Sequence, residues 1–440
     1  MKVRSAKSEV RRQEPPRSVG RRPSAVSRRR VLVVFGTRPE AIKLAPVIAE
    51  LKSRPKRFKV CVAVTAQHRR MLDQVLSVFD IKPDFDLDVM RQGQTPSEVL
   101  ARVLEGVDRV LEKTRPDIVL VQGDTTSALA AALAAYHRRI AVGHVEAGLR
   151  THDKYAPFPE EMNRTLISSI ADLHFAPTKQ ARANLLSEGI PSSSVHVTGN
   201  TVIDALHLVL AAASRGARDM NALRPAQFLL FSIRIASQAR KAAREPKTFN
   251  PKSMGSVAAV PQSKIQNPKS KILLVTAHRR ESFGPGFERI CRALARIVRD
   301  NADVEVIYPV HLNPNVRGPV RKFLSGLERV HLIEPLEYLE FCHLMQAAYL
   351  ILTDSGGIQE EAPALGKPVL VLRDKTERPE AINAGTAKLV GTDVERIVSA
   401  TQRLLHSRVA YRKMAKAKNP FGDGHAAKRI AQILLNLEGR

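Results

Sequence analysis

The chain has 440 residues, 44% of them hydrophobic and 26% charged, with a formal net charge of +27 at pH 7. That length accommodates two or three domains with substantial cores, and no apolar run approaches the ~18 residues of a membrane span. The charge excess is concentrated, about +9 in residues 1–30 and about +10 in residues 214–271, in stretches poor in aromatics and periodicity, which argues against nucleic-acid recognition as the core function.

The basic N-terminus is not followed by an apolar segment and does not read as a secretory signal. Cys61, Cys291 and Cys342 have no metal-ligand spacing, Cys61 and Cys342 read as small core residues, and the set fits a reduced, cytoplasmic setting. Residues 1–30, rich in Arg, Ser and Pro, are expected to be a disordered basic tail. From Val31 the pattern changes. Val31 to Phe35 predicts a buried strand, Gly36 a turn, and Thr37-x-x-Glu40 a capping box, with Pro39 in the first helical turn. Arg38 and Lys43 put two cations at this junction, where the helix dipole disfavours them unless an anion binds.

Lys59 to Val64 predicts a second strand, running into a segment that holds Gln67 and Arg70, and residues 97–114 predict an amphipathic helix. Asp117 to Val121 predicts a third strand, ending at Gly123-Asp124-Thr125 before an Ala-rich helix over 127–136; Asp124 also suits the N-cap of that helix. Ile140 to Val145 ends in Glu146, a carboxylate that is costly at a buried strand end unless exposed or used. Glu160 and Arg164 lie four apart on one helix face, a spacing that also fits an ordinary ion pair. Leu173 to Ala176 and Val195 to Val197 predict short strands, and Gly199-Asn200-Thr201 closes this half. Strands alternating with helices indicate an α/β fold with a doubly wound parallel sheet. Asp124, Glu146 and Glu160 reach its strand ends from separate segments, which is a site signature.

Residues 205–213 predict a helix, and 214–270, where NPKS occurs twice, a flexible low-complexity insertion linking two halves. Within it the apolar island over 228–235 is left unassigned. In the second half, Ile272 to Thr276 leads into AHRRES with His278, Val304 to Pro309 leads to His311, and Val330 to Ile333 precedes a helix holding Phe341. The most informative stretch is AYLILTDSGGIQEEAPALGKPVLV, Ala348 to Val371. It predicts a strand over 349–352, a turn over 353–357, a helix over 358–365 and a strand over 368–372. Ser355, Gly356 and Gly357 open that helix, where close backbone approach and free N–H groups suit a phosphate, and Glu361 lies within reach of a sugar hydroxyl. A plain strand-to-helix turn capped by Ser355 fits the same residues. An amphipathic helix over 426–437 ends the pattern.

The ordered set GTRPEAIKLAP, QGDTTS, HVEAGLRT, PFPEEMNR, TGNTVID, TAHRRES, HLNPNVR, TDSGGIQEEAPALGKPVLVLR and ERPEA resembles the non-hydrolysing UDP-N-acetylglucosamine 2-epimerases over residues 31–213 and 271–440. The resemblance implies two Rossmann-like doubly wound domains facing a cleft, a GT-B-like arrangement, with the last helix, after residue 419, crossing back to the first domain. The domains would span 31–204 and 271–418, with 205–270 between them. It implies epimerisation at C2 of UDP-N-acetylglucosamine to UDP-N-acetylmannosamine by elimination of UDP, a 2-acetamidoglucal intermediate and re-addition, supplying an activated sugar for cell-surface polysaccharide. It implies no metal and no nicotinamide, and we expect a homodimer.

Carried over by motif, Ser355, Gly356 and Gly357 hold the diphosphate, Glu361 accepts from the ribose, Phe341 flanks the uracil, and Arg38 and His278 contact the phosphates. Asp124, Glu146 and Glu160 are the sugar-side carboxylates, with Lys43 and Arg164 nearby. We expect Asp124 and Glu146 to be the acid/base pair, Glu160 to assist, and His278 to belong to the catalytic set. Gln67 and His311 match a second, regulatory substrate site, where Arg70 replaces a common glutamine. Hydrolysing relatives usually carry alanine at the position of Pro39. A glycosyltransferase of the same fold would not need three inward carboxylates.

Overall fold

The structure, a computed structural model, describes residues 28–66, 69–91, 93–216 and 270–436, leaving out the side chains of 69–71 and 213–216. Two sheets organise it. The first contains seven strands, β1 (Arg29–Phe35), β2 (Phe58–Val64), β3 (Phe85–Asp86), β4 (Ile118–Gln122), β5 (Ala141–Val145), β6 (Leu173–Ala176) and β7 (Val195–Val197), in the order β3-β2-β1-β4-β5-β6-β7. The second contains six, β8 (Lys271–Thr276), β9 (Val304–Pro309), β10 (Val330–Ile333), β11 (Leu350–Thr353), β12 (Val369–Val371) and β13 (Ala387–Leu389), in the order β10-β9-β8-β11-β12-β13. Every neighbouring pair is parallel.

In each sheet the strand order reverses once, at β1/β4 and at β8/β11. Ligands of such sheets bind outside the carboxyl ends at that reversal. The residues that follow those four strands are Gly36-Thr37-Arg38, Gly123-Asp124, Ala277-His278 and Asp354-Ser355-Gly356.

The central strands β4, β11 and β12 are buried on both faces, which is why they read as continuous apolar runs, whereas the edge strands are only partly buried. In β1, Val31, Val33 and Phe35 face an inner cluster, while Leu32 and Val34 face the outer helices. The inner cluster continues through Ile203, Leu206 and Val209 of helix Thr201–Gly216 to Leu274, Ile351 and Val369 of the second sheet. That helix packs on both Tyr338–Ala347 and Gly356–Ala364, so one apolar core joins the two halves.

The last helix, Ala426–Asn436, packs against Arg38–Lys52 and Thr201–Gly216 of the first half. Asp204 accepts from Ala426 N (3.2 Å) and Ala427 N (2.9 Å), satisfying two of its free N-terminal donors. Arg29 Nη1 donates to Leu434 O at 2.5 Å. Where the chain returns, a Cβ on Gly199 would lie 3.3 Å from Gly422 Cα, so the two crossing segments touch backbone to backbone.

Several expectations need correction. Arg29 and Arg30 belong to β1, not to a tail, because Arg30 N and Nη2 bond the Asp117 carboxylate (2.7 and 2.8 Å). The helix expected to end at 213 continues to Gly216. Residues 1–27 and 217–269, which include most of the expected tail and insertion and the whole 228–235 island, lie outside the described residues. β13 and the helices Val394–His406 and Arg408–Ala415 had not been anticipated.

Candidate active site

On the first sheet, the turn after β1 is packed so closely that a Cβ on Gly36 would sit 2.0 Å from Thr65 Oγ1. Glu40, fully buried, accepts from Gly36 N (3.0 Å), Thr37 N (2.6 Å) and the Thr125 hydroxyl (2.6 Å). One carboxylate thus ties the exit of β1 to the exit of β4. Burial pushes its pKa up, against those hydrogen bonds.

Glu146 stands at the end of β5 with φ +66°, a left-handed conformation that a non-glycine residue adopts at a cost. Lys43 Nζ lies 2.6 Å from both its oxygens, Asn200 Nδ2 donates at 3.1 Å, and Gln122 donates as well. Burial would raise its pKa; Lys43 above all, then Arg378 and the hydrogen bonds, outweigh that and hold it below the ordinary value.

Asp124 follows Gly123, whose φ is +69°. It is not the helix cap: Thr125 is, its hydroxyl accepting from Ala128 N at 3.0 Å. The Asp124 side chain keeps 31% of its surface open and lies 3.6 Å from Arg164 Nε. Burial foremost, with Glu146 and Glu160 adding to it, pushes its pKa up to about 6 against the pull of Arg164 and Lys43. Arg164 pairs with Glu161 (3.1 Å) and Asp124, and not with Glu160, so the ordinary ion pair that the i,i+4 spacing also fits is not the one formed. Glu161 turns back instead to accept from Thr151 N and His152 N (3.0 and 2.9 Å). Glu160 Oε2 is buried without a hydrogen-bond partner among the described residues.

On the second sheet, the buried Asp354 carboxylate accepts from His278 N (2.6 Å) and Arg279 N (2.7 Å), tying the exit of β8 to that of β11. The His278 ring stacks on His311, with centroids 5.3 Å apart and planes 12° apart. Burial, then His311 and Arg279, lowers the His278 pKa, and Asp354 opposes them. Helix Gly356–Ala364 starts after Ser355, whose side chain makes no capping bond, so the capped-turn reading fails. Glu361 accepts from the Tyr338 hydroxyl at 3.0 Å. Its pKa is pushed up to about 7 by burial, with Glu360 adding, against Tyr338, Lys43 and Arg38. Asn200, on the first edge, reaches both Glu146 beside it and Glu360 on this helix, so the two edges face each other. Phe341 sits half-buried against the inner core on the adjacent helix Tyr338–Ala347.

Two groups that sequence reasoning did not single out complete this edge. Arg378 lies 3.9 Å from where a Cβ of Gly356 would be, and it pairs with the buried Glu360. Glu360 Oε2 accepts from Asn200 Nδ2 at 2.8 Å, the same nitrogen that donates to Glu146. Lys43, Glu146, Asn200, Glu360 and Arg378 therefore form a polar chain from one sheet to the other. Their signals were present only as members of motifs, TGNTVID, IQEEAP and ERPEA; no periodicity marks them. Gln67 and the Arg70 side chain lie outside the described residues, so of the expected regulatory positions His311 alone is placed, beside His278.

The family model described as UDP-N-acetylglucosamine 2-epimerase matches residues 49–245 and 248–435. The chain belongs to the UDP-N-acetylglucosamine 2-epimerase family. It is 53% identical over 376 residues to a UDP-N-acetylglucosamine 2-epimerase of Salmonella typhimurium, covering 86% of this chain and 90% of that one. The crystal structure of UDP-GlcNAc 2-epimerase from Neisseria meningitidis bound to UDP-GlcNAc is similar at a TM-score of 0.75 and 46% identity, over 93% of this chain and 100% of that one. The Methanocaldococcus jannaschii UDP-GlcNAc 2-epimerase in complex with UDP-GlcNAc and UDP aligns at a TM-score of 0.67 and 32% identity, over 92% and 99% of the respective chains. No helix among the described residues of this epimerase is long and apolar enough to cross a membrane.

Proposed function

We propose that this epimerase interconverts UDP-N-acetylglucosamine and UDP-N-acetylmannosamine at C2. The observation that carries the reading is the chain of contacts that joins the sugar-side carboxylate Glu146, through Asn200 and Glu360, to Arg378 at the N-terminus of helix Gly356–Ala364. The C2 proton becomes acidic as the C1–O bond to UDP breaks. The electrons of that bond leave on the diphosphate, the C2–H electrons form the C1=C2 bond, and the proton passes to a base. Return of a proton to the opposite face of C2 and re-formation of the C1–O bond to UDP complete the exchange, and the chemistry is redox-neutral throughout. Backbone N–H groups of Ser355, Gly356 and Gly357, with Arg38, Arg378 and His278, take the developing diphosphate charge. Asp124, poised near neutrality, moves the proton, and Glu146, kept ionised, stabilises the cationic sugar ring and orients Lys43. Separating the two pKa values assigns the two carboxylates different tasks. Glu160 supports Asp124, Glu361 and Phe341 hold the nucleoside, and His311 borders a neighbouring regulatory site.

The enzyme works in the cytoplasm, as its unpaired Cys61, Cys291 and Cys342 suit, and feeds cell-surface polysaccharide synthesis. It acts as a homodimer. Tyr136 (60% exposed) on helix Thr126–His137, Met162 and Leu166 on helix Glu160–Ile170 packed against it, and Phe158 in the turn before that helix are exposed large apolar side chains, which supports an isologous contact there. Incubation with UDP-N-acetylglucosamine in deuterated water tests the reaction by NMR: deuterium at C2 of both sugars is expected. Stoichiometric free UDP and N-acetylmannosamine would instead establish hydrolysis.

A further inference from the structure

Asn200 is buried and every polar group it carries is engaged. Its backbone N–H donates to Phe421 O at 2.6 Å, on the segment that returns from the second half. Its side-chain oxygen accepts from Val202 N at 3.1 Å, at the start of the helix shared by both halves. That leaves the amide nitrogen, which donates to Glu146 Oε1 (3.1 Å) and Glu360 Oε2 (2.8 Å). Asn419, on the returning segment, also donates to the Glu360 backbone carbonyl at 3.1 Å. Both chain crossings between the halves therefore converge on one amide that joins a carboxylate of each sheet.

Two carboxylates brought together in a buried site repel each other, so they need donors and cations around them. Here Lys43 serves Glu146 and Arg378 serves Glu360, and Asn200 is the neutral donor between. Its neutrality matters: an acceptor in that place would leave Glu360 Oε2 without its donor and Glu146 Oε1 with Lys43 alone, and a cation would unbalance two ion pairs.

We infer that Asn200 is a positioning residue that sets the distance between the sugar-side carboxylate Glu146 and the diphosphate-side pair Glu360–Arg378, and so aligns proton transfer with departure of UDP. The inference rests on the epimerase reading above. Asn200 itself touches no reacting atom. It acts through Glu146, whose strained backbone leaves the carboxylate dependent on side-chain partners for its place, and through Glu360, which holds Arg378 against Gly356.

Asn200→Asp and Asn200→Ala separate this role from a packing role. Asn200→Asp keeps the size and the acceptor for Val202 N but replaces the shared donor with a third carboxylate. It faces Glu146 and Lys43 from the first half and Glu360 and Arg378 from the second. Packing alone predicts that the isosteric Asp is the milder change. Positioning predicts the reverse order. We expect kcat to fall by at least about tenfold in Asn200→Ala, toward the ~100-fold that a displacement near 1 Å costs, and further in Asn200→Asp. The Kd for UDP, measured by calorimetry, should change by less than the fall in kcat in both, because the backbone N–H groups that hold the diphosphate are untouched. The Asp variant should recover activity as pH is lowered, because a protonated carboxyl can donate again. Wild-type kcat in both variants, or an Asp variant milder than Ala with no pH dependence of the defect, overturns the inference. So does a parallel loss of UDP binding and thermal stability in both. If the unaltered enzyme itself fails to exchange deuterium into C2 of UDP-N-acetylglucosamine, the epimerase reading falls, and that result is distinct from any of these.

Discussion

Asp124→Asn should make the protein more stable and nearly inactive. The side chain is isosteric, and the helix that follows keeps its cap because Thr125, not Asp124, supplies it. In the folded protein the carboxyl titrates near 6, above the ordinary aspartate value of 3.8. Between those two values the folded chain still holds a proton that the unfolded chain has released, so stability falls as pH rises through the window. Above it the full cost applies. Two pKa units would correspond to about 3 kcal/mol, but water reaches 31% of the side chain, and screening reduces the cost to on the order of 1–2 kcal/mol. Asn carries no such cost. Urea unfolding at pH 8 should therefore favour the variant by about that amount, and at pH 4 the two proteins should be nearly indistinguishable. Turnover should fall by about 100-fold or more, the usual worth of a positioned proton carrier, which is roughly 3 kcal/mol in the barrier. The assay is deuterium incorporation at C2 followed by NMR, beside calorimetry of UDP binding. An Asn variant with near-normal turnover and intact UDP affinity would refute the role of Asp124 as proton carrier.

Two further outcomes are expected. Glu361, with its pKa pushed up to about 7, must be ionised to accept from ribose hydroxyls, so UDP affinity should rise between pH 6 and 8 with release of a proton. Calorimetry in buffers of different ionisation enthalpy measures this, and an affinity flat over that range in the unaltered protein would remove Glu361 from the nucleoside site. Asp204→Ala deprives Ala426 N and Ala427 N of their acceptor and should cost about 1 kcal/mol, as loss of a helix cap does. Amide exchange in residues 426–436 should accelerate first; unchanged protection there would mean that packing alone holds the last helix.

The alternation of strands and helices was readable from the chain because buried parallel strands need continuous apolar runs and their connections need punctuated turns. The strand ends were readable for the same reason, so Asp124, Glu146, His278 and Ser355 could be picked out by position. The spacing of Glu160 and Arg164 left an ion pair and a site both open. Arg164 pairs with Glu161, three residues earlier on the same helix, and with Asp124 from the turn after β4; helical spacing permits i,i+3 and i,i+4 partners alike, and the contact with Asp124 exists only in the folded chain. β13, three residues long, carries too little pattern to declare itself.

Composition, periodicity and the glycine-marked turns by themselves determined two doubly wound halves and the acidic and phosphate-suited edges that they present. Only the tertiary structure decided that Glu146 stays ionised while Asp124 titrates near neutrality, and that Asn200, Glu360 and Arg378 join the two edges. A pKa depends on burial and on charges that arrive from distant parts of the chain, and Asn200 and Glu360 are 160 residues apart. Local pattern carries no record of such a distance; packing one sheet against the other through a shared helix creates it.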